Sequence, residues 1–190
     1  MKATLTQNEI DKHVCLHPNF FDDTTPIVEV DYLISDKWLH FAVYMASFAS
    51  HDELVQFCKD YAGEECKKWF FGHANFPYAY NSEEQTIRFD DILKFFALED
   101  EDERGAVWAY LDQYNKYFSV EHILSHFVGR FDNMYEFTQY ILAEFKHDQN
   151  AYAYECEELE EYYDEHLLKY VVENEGYWFK RNSKTNFAEL

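Results

Sequence analysis

Residues 27–46, IVEVDYLISDKWLHFAVYMA, decide the fold class. Two runs rich in Val, Ile, Tyr and Phe, residues 27–33 and 38–46, flank the polar segment ISDK, a pattern that predicts two strands paired as a hairpin. Downstream, Ser50-x-x-Glu53 has the form of a capping box, and Leu54, Phe57, Cys58 and Tyr61 follow at helical spacing as far as Gly63. That predicts a helix of about three turns. Residues 65–72, ECKKWFFG, read as a third strand, giving a small antiparallel sheet with a helix on one face. Upstream, residues 1–26 are polar and carry Pro18 and the turn FDDTTP, so they read as an N-terminal extension with one short helix near residues 7–14.

Working toward the C-terminus, residues 73–85 contain Pro77, Asn81 and Ser82 and read as a loop, with a domain boundary near residue 80. Ile92, Leu93, Phe95 and Phe96 mark a short helix, and Val107, Trp108, Leu111 and Tyr114 mark another. Ser119 is placed to cap one more helix, which Gly129 interrupts, and Asn133-x-x-Glu136 opens a clearer amphipathic helix through Phe145. An acidic helix is expected over residues 156–174, stopped by Gly176, then a final strand at 177–181 and a frayed end. The expected class is α+β, in four parts: extension 1–26, α/β subdomain 27–80, helical subdomain 81–118, and α/β subdomain 119–190 carrying the acidic helix.

Sixteen Lys and Arg against 37 Asp and Glu give a net charge of -21, yet 18 Phe, 16 Tyr and 4 Trp supply the apolar area that disordered acidic chains lack. So much like charge opposes compaction, and it disfavours nucleic acid or an anionic membrane as partner while favouring a basic groove. DNA carries one charge per roughly 1.7 Å of axis, so this charge equals that of about ten base pairs over roughly 35 Å. Cys15, Cys58, Cys66 and Cys156 show no paired spacing, the first twenty residues lack a signal-peptide pattern, and no apolar run is long enough to span a bilayer. A soluble protein with reduced thiols, in the cytoplasm, is the expectation.

The acids are concentrated. Seven of the eleven residues in ECEELEEYYDE, 155–165, are carboxylates, with no Lys or Arg until Lys169. Leu159, Tyr162, Tyr163, Leu167 and Tyr170 give the same segment a packed stripe, leaving Glu155, Glu157, Glu158, Glu160, Glu161, Asp164 and Glu165 on a negative face. With Asp90, Asp91, Glu99, Asp100, Glu101, Asp102 and Glu103 they form the candidate partner-binding set. Helical carboxylates four residues apart stand about 6 Å apart along the axis, close to the phosphate step of a strand. Acids ahead of a helix also serve its N-terminus through the macrodipole, which is the competing reading of 99–103.

No catalytic, cofactor or metal assignment follows from the sequence. His122 and His126 share a helix face, but Ile123 stands where the zincin pattern needs Glu. His13, Cys15 and His17 alternate without a second pair to complete a site. The five glycines are too scattered for a phosphate loop, and among 37 acids a carboxylate pair at any spacing is expected by chance.

Residues 127–133, FVGRFDN, followed by an aromatic helix, resemble the aromatic-x-Gly-x-aromatic-Asp-Ser turn and helix of ArdA-type antirestriction proteins. Residues 106–112 (AVWAYLD), Tyr162-Tyr163-Asp164, the terminal Gly176-Tyr177-Trp178-Phe179 and the order Asp52-Glu53-Leu54, Glu65, Trp69 are similar too, over about residues 27–182. Arg130 stands where the family often has an acid, and its Ala-Arg-Asp-Leu helix ending is not reproduced at 168–171. The resemblance implies an elongated, homodimer-forming DNA mimic of small domains that occupies the DNA groove of type I restriction-modification complexes in a bacterial host. The alternative from another class is an acidic adaptor binding one basic protein through a local patch such as Tyr162, Tyr163 and Glu161.

Overall fold

In the computed structural model, residues 5–21, 24–81 and 86–190 are described; parts of the expected extension (1–4, 22–23) and loop (82–85, with Ser82) lie outside them. The chain is α+β and forms two compact units, Met1–Leu98 and Glu99–Leu190.

The first unit is built on the hairpin of β2 (Ile27–Ile34) and β3 (Lys37–Tyr44). Ile34 faces Lys37, and both residues between them have positive φ, Ser35 at 48° and Asp36 at 63°. This is the primed two-residue turn whose twist suits a hairpin. Ahead of it, α1 (Gln7–His13) begins in a capping box between Thr6 and Glu9 and runs into β1 (Val14–Cys15), which pairs with β3. Part of the expected extension is therefore a sheet strand. β4 (Lys68–Ala74) lies on the other side of β2, giving the antiparallel order β1-β3-β2-β4.

α2 (His51–Ala62) starts where Ser50 accepts from the Glu53 N–H at 3.2 Å and ends at Gly63, whose φ of 77° suits a residue without a Cβ. Its Tyr61 ring meets Phe41 of β3 at 4.3 Å, and Leu54, Phe57 and Cys58 are buried with Val28, Val30 and Val43 of the sheet. A two-stranded ribbon, β5 (Tyr80–Asn81) and β6 (Thr86–Ile87), leads to α3 (Phe89–Phe96). Phe89, Ile92 and Phe95 are buried there, with Phe95 against Phe76 at 5.0 Å. This packing holds α3 in the first unit, so the chain divides after Leu98, where the sequence pattern suggested residue 80.

The second unit opens with α4 (Glu101–Tyr114), ended by Asn115 in the left-handed region, and α5 (Val120–His126), capped by Ser119. Tyr110 of α4 meets Phe179 edge-on at 5.0 Å, which places α4, expected in a separate central subdomain, on the C-terminal sheet. That sheet has the antiparallel order β7-β9-β8: β7 (Phe127–Arg130), β8 (Val171–Asn174) and β9 (Tyr177–Lys180). α6 (Met134–Phe145) starts at Asn133, whose side chain accepts from Glu136 N–H at 3.0 Å. Phe137, Ile141, Leu167, Val171, Trp178 and Phe187 form its core, with Phe137 and Trp178 stacked at 4.2 Å.

Three expectations are corrected in this unit. The acidic helix does not reach residue 174: α7 (Cys156–Tyr162) continues as one π turn, Tyr163–Leu167, and β8 begins at Val171. Gly176 is not a helix stop; with Glu175 (φ 54°) and its own φ of 83° it forms the β8–β9 hairpin turn. The C-terminal segment is not frayed, because Phe187 in the 3-10 turn Phe187–Glu189 is fully buried in the core. The strand around Gly129 was not anticipated; at four residues it is too short to show a period, and its pairing partner, β9, lies far along the chain.

Candidate partner-binding surface

Twelve of the fourteen candidate acids are exposed, and only Asp91 and Glu103 are half-buried. They fall into three groups, each beginning at a helix N-terminus. Asp90 and Asp91 occupy the first turn of α3 in the first unit. Glu99 precedes α4 in the second unit, where Asp100 is the N-cap and accepts from Asp102 N–H at 2.8 Å and Glu103 N–H at 3.2 Å. Glu101, Asp102 and Glu103 fill the first turn, and Asp102 meets Arg130 at 3.5 Å. Arg130 is also held over the Tyr177 ring at 5.5 Å, so this cation neutralises one of the acids.

The third group starts the same way. Glu155 N–H donates to Glu158 Oε2 at 2.9 Å, and Glu157 and Glu158 sit in the first turn of α7. Acids at these positions face the positive end of the helix dipole and stabilise the helix by about 0.3–1 kcal/mol each. Ten of the fourteen thus stand at or just before a helix start: Asp90, Asp91, Glu99, Asp100, Glu101, Asp102, Glu103, Glu155, Glu157 and Glu158.

Glu160, Glu161, Asp164 and Glu165 have no such account. They follow the first turn of α7 and run through the π turn, toward the end of the helix where the dipole disfavours anions. Glu157 and Glu161, and Glu160 and Asp164, are like charges four apart, which costs about 0.2–0.5 kcal/mol per pair. Glu165 has the His166 Nε2 at 3.8 Å. Leu159 and Leu167 are buried beneath them, and Tyr162 and Tyr163 are half-buried against the core, so the helix is anchored while these four carboxylates face solvent.

The histidine pair lies in an aromatic cluster. His122 stacks on Phe118 at 4.9 Å, its Nε2 is 3.3 Å from the Tyr110 hydroxyl, and buried His126 has Nδ1 2.8 Å from the His122 carbonyl. Of the alternating trio, His13 closes α1 and is buried, Cys15 is buried in β1, and His17 is exposed. Among the described residues no helix is long and apolar enough to cross a membrane. Compared with protein-family models, curated proteins and solved structures, the chain has no match.

Proposed function

We propose that the protein is a non-enzymatic DNA mimic whose carboxylates stand in for phosphates in the basic DNA groove of a host defence enzyme. A type I restriction-modification complex in the bacterial cytoplasm is the target named by the likeness to ArdA-type proteins. The observation that carries the reading is the set Glu160, Glu161, Asp164 and Glu165, exposed and mutually repelling on a helix that gains nothing from them. A chain selected only for folding has no use for charge at that place, whereas a basic groove does. The net charge of -21 is on the scale of about ten base pairs, enough to displace counterions from such a groove.

The test is titration of a type I enzyme with labelled DNA at several salt concentrations. Inhibition is expected to compete with DNA and to weaken as salt rises; inhibition indifferent to both removes the proposal. The adaptor reading draws support from exposed apolar side chains of the second unit, Tyr152 at 71% and Leu168 at 48%. It predicts loss of binding from a few substitutions there and no competition by DNA. Tyr162 and Tyr163, which pack on the core, report on folding and are unsuited to separating the two.

A further inference from the structure

In the first unit, α1, α2 and the turn before α2 form a half-open pocket of about 270 Å³ lined by Leu5, Glu9, His13, Phe48, Glu53, Gln56 and Phe57. Its polar lining is mostly acceptor. Glu9 Oε2 accepts from the Thr6 N–H and hydroxyl, both at 2.7 Å, and Glu53 Oε2 accepts from the Ala49 N–H at 2.7 Å, which leaves Oε1 of each unused among the described residues. Gln56 donates one amide N–H to Asp60 at 2.9 Å, leaving its carbonyl oxygen and a second N–H.

His13 completes the set. It is 6% exposed, stacked on Phe48 at 4.3 Å and tilted against Phe57 at 4.9 Å. Its Nδ1 lies 2.7 Å from Ser47 Oγ, whose own proton goes to the Tyr44 carbonyl at 2.6 Å. Nδ1 is therefore the donor, and Nε2 is left as a bare acceptor. Burial, helped by Lys12 and opposed by Glu53 and Glu9, pushes the imidazole pKa below its ordinary value, which keeps that nitrogen unprotonated near neutral pH.

Two carboxylates, a side-chain amide and an imidazole nitrogen beside two Phe rings oppose an anion and favour a donor-rich cation. A metal ion is not the fit, since among the described residues no three His, Cys, Asp or Glu are placed to hold one. The volume is slightly below that of drug-sized pockets, so the ligand is the size of a side chain. We infer that this pocket binds a guanidinium group, a planar cation with five donors that stacks on aromatic faces while bonding carboxylates. Its source is an arginine side chain of a protein or a small free guanidine, and nothing in the inference depends on DNA mimicry.

The experiment follows the His13 ring and Gln56 amide by NMR while the protein is titrated with N-acetyl-arginine methylamide, agmatine, and the citrulline counterpart of the first, which has the same shape without the charge. Both guanidines are expected to bind saturably and the citrulline compound about tenfold or more weaker. Glu53→Gln, which keeps an acceptor for Ala49, and Gln56→Lys, which puts a cation at the exposed rim, are each expected to weaken guanidine binding by a similar factor with the melting temperature as the folding control. Tighter binding of the arginine derivative than of agmatine identifies a protein source, and the reverse a small-molecule source. Equal binding of citrulline, no response at His13, or unchanged binding in both folded variants overturns the inference.

Discussion

Gly105 shows how one missing side chain sets the packing of the second unit. A Cβ there meets the hydroxyl and ring of Tyr177, which in turn is covered by the Arg130 guanidinium. Helix propensity alone favours Ala over Gly by about 1 kcal/mol, whereas overfilling a packed contact costs about 1–3 kcal/mol. The second effect wins, because three atoms of the half-buried Tyr177 ring and hydroxyl stand where the Cβ goes and the ring moves as one rigid body. Gly105→Ala is expected to lower stability by about 1–2 kcal/mol in urea denaturation, and Tyr177→Phe to recover part of that loss by removing the nearest atom. A stabilised Gly105→Ala protein refutes this account of the contact.

The same chemical group has opposite worth at the two ends of a helix. Asp100 closes two backbone N–H groups at the start of α4, and Asp100→Ala is expected to cost about 1 kcal/mol. Replacing Glu160, Glu161, Asp164 and Glu165 together by their amides relieves repulsion and the adverse dipole, with an expected gain of about 1–2 kcal/mol. Thermal denaturation of the two variants checks the sign, and equal signs disprove the dipole argument. The amide variant is also expected to inhibit less well, so stability and binding move in opposite directions. Helix starts and caps were legible in the sequence since they depend on residues three apart, as at Ser50 and Glu53 or Asn133 and Glu136. The end of the acidic helix was not, because residues 171–174 carry no break signal and are drawn into a strand by pairing with β9.

At the scale of the whole molecule, each unit holds a histidine whose pKa burial depresses, His13 in the first and His122 in the second. For such a base the unfolded chain takes up the proton first. Stability is fully present above the unfolded value near 6.5 and is lost as pH falls from there through the folded pKa. Falling pH also reduces the net negative charge, which works the other way. In high salt, where charge repulsion is screened, the urea midpoint is expected to fall between pH 7.5 and 5, and less steeply in His13→Phe. A midpoint that stays level or rises in high salt contradicts the linkage.

The sequence by itself determined the hairpin, most of the helices, the net charge and the fourteen acids, because alternation, caps and charge are local or additive. The tertiary structure decided which acids serve their own helix and which do not, since that depends on where α7 ends and β8 begins. It also decided the division after Leu98, through the burial of α3, and the pocket that gathers Glu9 and Glu53 from two helices around His13. Those outcomes arise from contacts between residues distant in the chain, which no periodicity within a single segment encodes.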